Sequence, residues 1–271
     1  RTLPQVTIMV WLPEVKGMPA QYIARPAPAF SQTAQWSVVA HLVFIALVQI
    51  GFELLVTVLP KLFAGMRQLP RDRGRHLDKL GTLDLAFIRF NRIVTSVMTY
   101  QYLQHAVWSP RVPWYPDELT FANTVLALPL CFIVYDLPYT LVHRLMHVRS
   151  LYPLVHKHHH RQIVPTRGNT DAINVHPVEF IFGEYNHLFA VWATSHLLGG
   201  YGGLHAYTCL AFIFIGGVLA SLNHTRCDVR ILKGVVFDVR AHDLHHRIPQ
   251  SNYGQYIMFW DRIMGSFREY D

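Results

Sequence analysis

Residues 143–160 read HRLMHVRSLYPLVHKHHH, and residues 242–246 read HDLHH. The two stretches contain nine of the 17 histidines in this chain of 271 residues. His143 and His147 are four residues apart, and positions i and i+4 share one face of a helix, so both imidazoles can reach one metal ion. Residues 156–160 and 242–246 each contain a His-x-x-His-His pattern, which places three imidazoles on one helical face. The three motifs therefore predict a metal site built from histidine.

The number of imidazoles indicates more than one metal ion. The motifs supply eight candidate ligands: His143, His147, His156, His159, His160, His242, His245 and His246. A single zinc site takes three or four protein ligands, so eight indicate two ions. Imidazole suits iron, zinc, copper and nickel, and the ligand type alone does not choose among them. His158 lies off the pattern of its motif, and five histidines lie outside any motif and are interpreted as non-ligands: His41, His76, His105, His196 and His205.

The composition favours a membrane protein. Apolar residues make up 51% of the chain and charged residues 15%, whereas soluble domains carry roughly 25% charged residues. An apolar helix of about 20 residues can cross a hydrocarbon core of about 30 Å. Five runs are candidate crossings: Ser37–Leu59, Leu83–Trp108, Leu119–Val142, Glu179–Leu198 and Leu204–Leu222. The second contains Arg89 and Arg92 near its start and could instead be a soluble amphipathic helix.

The basic residues indicate how the chain is oriented. Four or five crossings put residues 60–82, 143–176 and 223–271 on one side, and these segments hold most of the lysine and arginine. The opposite loops, 109–118 and 199–203, contain only Arg111. The positive-inside rule then makes the histidine side cytoplasmic, or its organellar equivalent. We expect an all-α integral membrane bundle of four or five helices with a cytoplasmic helical cap that carries a histidine-rich di-metal site.

This reading divides the chain into three parts. Residues 1–36 are a proline-rich N-terminal lead-in, residues 37–110 the N-terminal membrane helices, and residues 111–271 the histidine-motif domain. The chain starts at Arg1 rather than methionine, so a targeting peptide would be invisible. The net charge of +7 is not arranged in a stripe, and we expect no nucleic-acid partner. The three cysteines show no paired spacing, so no disulfide framework is implied.

Two other chemistries fit the sequence poorly. Carboxylate-bridged di-iron bundles need a pair of Glu-x-x-His motifs and two further glutamates. This chain has one such match, Glu184-Tyr-Asn-His187, and it stands alone in an apolar run. A nucleophilic hydrolase is also disfavoured, because no elbow motif surrounds the hydroxyl residues near His224.

Several segments resemble the fatty acid hydroxylase and sterol desaturase superfamily. Residues 135–147, YDLPYTLVHRLMH, and residues 156–160 resemble its first two histidine boxes. Residues 176–179, HPVE, resemble its His-Pro-x-Glu element. The third box and its trailing signature are similar to residues 242–246, Asn252-Tyr-Gly254, Trp260-Asp-Arg262 and Gly265-Ser. The match covers roughly 120–268, whereas residues 1–110 resemble the family only in being helical and apolar.

The resemblance implies a di-iron enzyme that uses O2 to act on C–H bonds of lipids, as hydroxylases, sterol desaturases and sterol methyl oxidases do. The two iron ions and the O2 co-substrate rest on the resemblance and not on the spacing. We expect a lipid, sterol or other apolar substrate that arrives from the membrane. Some relatives carry a fused cytochrome b5 domain with a His-Pro-Gly-Gly motif. This chain shows none, so we expect a separate electron donor of the cytochrome b5 or ferredoxin type. The expected location is the endoplasmic reticulum in a eukaryote, or otherwise an organellar or bacterial inner membrane.

Two further histidines are candidate ligands. His224 follows the apolar run that ends at Leu222 and precedes His242 by 18 residues, near where hydroxylase relatives place a further histidine motif. Those relatives often have a second histidine four residues later, where this chain has Asp228. Either that carboxylate substitutes or a tenth ligand comes from elsewhere, with His176 as the candidate. The alternatives are a helix C-cap for His224 and a residue that orders the turn before Pro177 for His176.

Asp136 and Asp243 are expected to accept hydrogen bonds from ligand imidazoles and so to orient them. Two rival functions stay open. One is a catalytically retired family member that serves as a structural subunit of a membrane assembly. The other is a metal-binding or metal-transport membrane protein, which would need polar residues through the membrane, unlike the apolar run Leu204–Leu222.

Overall fold

The computed structural model describes residues 36–63, 65–70, 79–108, 112–199 and 203–270. This part of the chain is mostly helical, as the sequence predicts, with one small antiparallel sheet. The long helices are α1 (Val38–Leu62), α2 (Thr82–Tyr102), α3 (Ala127–Met146), α5 (Pro177–Leu197) and α6 (Ala206–Leu222). The short elements are α4 (Asn169–Ala172), β1 (Arg230–Ile231), β2 (Phe237–Asp238), α7 (Val239–Arg247) and α8 (Phe259–Met264). Turns of π-helix extend α2 over Leu103–Val107 and precede α3 over Ala122–Leu126.

Helix α3 is the centre of the bundle, since it packs against both α5 and α6, while α2 packs against α1 and α5. Small side chains such as Ala127 and Cys131 are fully buried on α3, which lets the neighbouring helices approach closely. The hydroxyl of Tyr102, at the end of α2, donates a hydrogen bond of 2.8 Å to the carbonyl oxygen of Cys209 in α6. This bond joins the end of α2 to the first turn of α6.

Two helices among the described residues are long and apolar enough to cross a bilayer, over Val38–Leu55 and over Ala122–Met146. The apolar helix Ala206–Leu222 is shorter. The predicted crossing Leu83–Trp108 corresponds to α2, whose inner face is partly polar. Asn91 on this face is buried, and its side-chain amide donates to the carbonyl oxygens of Ile173 and Val175 at 2.8 and 2.9 Å.

The segments that carry histidine motifs meet at one end of the bundle. The backbone N–H of Leu69, after α1, donates to the carbonyl oxygen of Arg226, and the N–H of Gly168 donates to that of His224. At the other end, the N–H of Ala206 donates to the carbonyl oxygen of Pro113. The sequence predicts the segments with histidine motifs on one side, and in the structure they lie together at one end of the bundle. The lead-in up to residue 35, the arginines of residues 71–78 with His76, the loop residues 109–111 and the glycine-rich turn at 200–202 lie outside the described residues.

Two buried carboxylates hold the loop between α7 and α8. Asp136 on α3 accepts hydrogen bonds from the backbone N–H groups of residues 255–257, the shortest being 2.6 Å from Ile257. Asp261 on α8 accepts from the backbone N–H groups of Tyr253 and Gly254 at 2.9 and 2.7 Å. A side chain at Gly254 would place its Cβ 2.6 Å from the carbonyl oxygen of Ile257. The backbone of this loop is therefore held by a carboxylate of α3 on one side and a carboxylate of α8 on the other.

This role of Asp261 predicts the effect of replacing it. In the Asp261→Asn variant an amide NH2 group replaces one acceptor oxygen, so a buried backbone donor loses its partner. We expect the free energy of unfolding to fall by about 1–3 kcal/mol, measured by denaturant titration of the purified protein in detergent. Glu269→Gln removes the same charge from an exposed position of the same segment and should leave the stability unchanged. Equal stability of the two variants would contradict this account of the loop.

Candidate metal centre

Nine histidines form two neighbouring clusters. We call His143, His147, His156, His160 and His245 the five-histidine cluster, and His159, His224, His242 and His246 the four-histidine cluster. Within each cluster the candidate ligand nitrogens lie within 4.8 Å of one another. The rings of His160 and His246, one from each cluster, have centroids 5.1 Å apart. All nine are buried except His147, which is partly exposed.

The second and third histidine motifs each contribute to both clusters. His156 and His160 join the five-histidine cluster, whereas His159, between them, joins the other. The predicted regular helical face is absent here, because the backbone forms a π-helical turn over Tyr152–His156 and a 3₁₀ turn over His159–Arg161. The irregular backbone lets neighbouring histidines of one motif point to different clusters. Helix α7 likewise directs His245 to one cluster and its other two histidines to the other.

The imidazoles are held in the neutral form that binds metals. Burial lowers the pKa of His156 to about 3. Burial and the neighbouring His143 and His156 lower the pKa of His147 to about 2. Burial also lowers the pKa of the remaining ligand candidates outside α3: His159, His160, His224, His242, His245 and His246.

Fixed acceptors hold four of the rings through Nδ1. The Nδ1 atom of His143 donates to the carbonyl oxygen of Tyr253 at 2.7 Å, and that of His245 donates to Ser251 at 2.7 Å. The Nδ1 atom of His224 donates to the carbonyl oxygen of Ala220 at 3.0 Å. The Nδ1 atom of His156 lies 2.8 Å from Oε1 of Glu179. An imidazole that donates through Nδ1 and is neutral carries a lone pair at Nε2, so His143, His224 and His245 present Nε2 lone pairs to the clusters.

The resulting Nε2 lone pairs face one another at short range. The Nε2 atoms of His143 and His156 are 3.0 Å apart, and those of His224 and His242 are 3.1 Å apart. His143 uses its proton at Nδ1, so its Nε2 lone pair points at Nε2 of His156, and a cation between the two nitrogens would be bound by both. Nitrogens at right angles around a metal, each about 2.1 Å from it, lie about 3.0 Å apart. The donor set therefore fits a metal ion in each cluster.

The structure places the remaining candidate ligands elsewhere. His176 caps α5, where its Nδ1 accepts a hydrogen bond of 3.3 Å from the N–H of Val178. Pro177 begins this helix, so the ring of His176 turns to the helix end and away from both clusters. His158 lies 3.0 Å from Asp84 and outside the clusters. Asp228 forms a bidentate ion pair with Arg240 at 2.7 and 2.6 Å, so this carboxylate does not replace a histidine. His41, His105, His196 and His205 also lie outside both clusters.

The two aspartates bond to groups other than the imidazoles of the clusters. Asp136 accepts hydrogen bonds from the backbone of the loop between α7 and α8. Its link to His143 is indirect, because this loop also contains Tyr253, whose carbonyl oxygen accepts from His143. Asp243 forms ion pairs with Arg226 and, at 3.2 Å, with Arg247. The carboxylate that does contact a ligand is Glu179, the last residue of the His-Pro-x-Glu element. The sequence analysis noted this element without assigning Glu179 a role.

An apolar cavity of about 850 Å³ opens onto the clusters. Its lining includes His143 from the five-histidine cluster and His159, His224 and His242 from the other. The remaining walls come mainly from apolar side chains of α1, α2, α5 and α6, such as Leu55, Met98, Phe180 and Phe214. The volume lies within the range of small-molecule sites. A largely apolar ligand in this cavity would therefore lie directly beside both candidate metal sites.

The placement of His224 and His176 gives a matched pair of variants. His224→Ala removes one of four nitrogens from the four-histidine cluster, so we expect the metal content per chain to fall by about one ion. His176→Ala removes an imidazole outside both clusters and should leave the metal content unchanged. Elemental analysis of the purified variants measures both values, and equal metal content in the two would contradict the assignment of His224.

The contact of Glu179 with His156 predicts a second effect. Glu179→Ala removes the acceptor that orients this ring, and the loss of such a partner typically weakens metal binding by about 10–100-fold. Glu179→Gln retains an acceptor oxygen and should lose less. Val178→Ala alters an exposed neighbour on the same turn and serves as the control. Competition with a chelator measures the affinity, and an unaltered affinity in Glu179→Ala would show that the contact is not needed.

Comparisons with known proteins find sterol desaturases and a lathosterol oxidase among the relatives of this chain. A Delta(7)-sterol 5(6)-desaturase of Aspergillus fumigatus is 31% identical over 150 residues, which cover 54% of this chain and 40% of the relative. A probable Delta(7)-sterol 5(6)-desaturase of Neurospora crassa is 28% identical over 188 residues, covering 69% and 49%. The lathosterol oxidase of Mus musculus is 31% identical over 129 residues, covering 47% and 40%. The chain spans half or less of the length of these relatives, and no solved structure is significantly similar to it.

The family model described as fatty acid hydroxylase matches residues 128–266. This range is more than half of the chain, and it contains all nine histidines of the two clusters. It confirms the resemblance seen in the histidine motifs. The chain belongs to the fatty acid hydroxylase family.

Proposed function

We propose that the protein is an O2-dependent di-iron oxidoreductase that hydroxylates or desaturates a C–H bond of a lipid, sterol or other apolar substrate. The observation that carries the proposal is the opening of two clusters of neutral imidazoles onto one apolar cavity. When bound, the iron ions would supply the redox chemistry that activates O2. Five and four nitrogen donors leave positions free on six-coordinate ions.

The residues of the chain would bind the iron, position the substrate and keep water away. The histidines would hold the ions through their ring nitrogens, and the acceptors at Nδ1 of His143, His224 and His245 fix the direction of those three rings. The apolar walls from α1, α2, α5 and α6 would bury the substrate and exclude water from the reacting atoms, which suppresses side reactions. The same walls do not suit a metal transporter, which would need polar groups along its path.

The proposal includes a membrane location and a separate electron donor. The helices over Val38–Leu55 and Ala122–Met146 are long enough to span a bilayer, and we propose that the histidine end of the bundle faces the cytoplasm. Exposed basic side chains surround that end: Arg144, Arg149, Lys157 and Arg161. Complementary charge steers the encounter of redox partners, so an acidic donor of the cytochrome b5 or ferredoxin type would suit this surface.

The proposal predicts that O2 is consumed and a lipid is oxidised. Purified protein loaded with ferrous iron is given a reductant, a lipid and sterol extract, and isotopically labelled O2. We expect a product that has gained one labelled oxygen atom or lost two hydrogen atoms, measured by mass spectrometry. His242→Ala removes one ligand of the four-histidine cluster and should abolish product formation.

The alternative of a retired subunit makes the opposite prediction. With full iron loading, the absence of both O2 consumption and any oxidised lipid would overturn the proposed function and favour the structural role. Zinc-loaded protein is the matched control, because zinc occupies histidine sites but has no redox chemistry.

A further inference from the structure

The cavity contains a second polar region, separate from the histidine clusters. Its centre is Glu184 on α5, which lines the cavity. Among the described residues, none donates a hydrogen bond to its carboxyl group or forms an ion pair with it. A carboxyl group in apolar surroundings without a partner is unfavourable, by an amount of the order of a lost hydrogen bond or more. Such a group is explained most simply by a ligand that supplies the partner.

The neighbouring phenols have already used their protons. The Nδ1 atom of His187 donates to the carbonyl oxygen of Glu184 at 3.0 Å, so its Nε2 accepts from the hydroxyl of Tyr256 at 3.0 Å. The hydroxyl of Tyr135 donates to the carbonyl oxygen of Gly183 at 3.0 Å. The carboxyl group of Glu184 is near enough to both phenols to interact with them electrostatically. In this cavity, whose lining contains neither lysine nor arginine, the carboxyl group of Glu184 is neutral, so it can both accept and donate a hydrogen bond.

The side chains of His187 and Tyr256, beside Glu184, are closely packed against α6. Gly216 of α6 faces the pair formed by His187 and Tyr256, and a Cβ at Gly216 would lie 2.9 Å from the Tyr256 hydroxyl. His187 and Tyr256 are buried, and the loop that holds Tyr256 is fixed by Asp136. The acceptor oxygens therefore have defined positions.

The charge of the cavity decides which ligand group fits. The cavity lining contains neither lysine nor arginine, so nothing there would balance a fatty acid carboxylate or a phosphate. Ketones and esters only accept hydrogen bonds and would leave the carbonyl oxygen of the carboxyl group without a donor. A neutral hydroxyl group can donate to Glu184, and it brings no charge into the cavity. The region thus matches an alcohol.

The position of Glu184 also sets the distance between a bound hydroxyl group and the histidine clusters. Glu179 contacts the five-histidine cluster through His156, and Glu184 is five residues farther along α5. At 1.5 Å per residue, the two lie about 8 Å apart along the helix. A ligand hydroxyl at Glu184 would leave the apolar body of the molecule to extend toward the clusters.

We propose that Glu184 and Tyr256 form a hydroxyl-binding subsite, and that the substrate is an apolar alcohol whose hydroxyl group binds there, about 8 Å along α5 from the level of the five-histidine cluster. The assignment of this ligand as a substrate rests on the proposed function. The binding of the alcohol does not, because it needs no turnover.

Equilibrium binding of a matched series of probes tests the subsite. The probes are cholestanol, cholestane, which lacks only the hydroxyl group, and 3-aminocholestane, and their binding to the detergent-solubilised protein is measured by displacement of radiolabelled cholestanol. Leaving a buried polar group without its hydrogen-bond partner corresponds to about tenfold to a hundredfold in affinity. We expect the wild-type protein to prefer cholestanol to cholestane by at least about tenfold.

Variants test whether Glu184 binds the hydroxyl group of the probe. Glu184→Leu should lose the preference for cholestanol, and Glu184→Gln should keep part of it. Thr95→Val removes another polar group from the cavity wall at nearly constant shape and should keep the full preference. An unchanged preference in Glu184→Leu, or its loss in Thr95→Val, would overturn the proposal. Tighter binding of 3-aminocholestane than of cholestanol would also overturn it, in favour of a cationic ligand.

The subsite and the proposed function fail in different ways. If the wild-type protein discriminates between the probes but forms no oxidised product, the enzyme proposal fails and the subsite stands. If the protein oxidises lipids while Glu184→Leu discriminates as before, the subsite alone fails.

Discussion

The structure depends on imidazole lone pairs that face one another at about 3 Å. Backbone carbonyls fix the Nδ1 protons of His143, His224 and His245, so the Nε2 lone pairs of these rings point into the clusters. Burial makes protonation of the rings unfavourable, so a metal cation is the partner that suits these lone pairs. A metal ion in each cluster would join the segments that carry the histidines, which are the end of α3, residues 156–160, the end of α6 and α7.

The rest of the fold keeps those acceptors in place. The loop between α7 and α8 presents the carbonyl groups of Ser251 and Tyr253 to two ligand histidines, and it is itself held by Asp136 and Asp261. Glu179, in the first turn of α5, places its carboxylate beside a third candidate ligand, His156. Polar groups are concentrated around the rings, whereas the cavity beside them is mainly apolar. This division suits chemistry on an apolar molecule next to a pair of metal ions.

The histidine spacing was sufficient to predict a metal site and its ligand type, and the position of His224 after an apolar run was sufficient to suggest it as a further ligand. The split into clusters of five and four could not be predicted, because it depends on a π-helical turn that no residue in Tyr152–His156 signals. The sequence left His176 between ligation and ordering the turn before Pro177, and in the structure it caps α5. Helicity was predicted correctly, but hydropathy alone did not show that α2 buries Asn91 against the backbone of residues 173–175.

The central claim is that histidine nitrogens hold two metal ions, and X-ray absorption at the iron edge of the iron-loaded protein tests it most directly. The account predicts two iron ions per chain, each surrounded by four or five imidazole nitrogens at about 2.1 Å, with the outer-shell scattering of histidine rings. A single ion per chain, or a shell dominated by sulfur or by paired carboxylates, would contradict it.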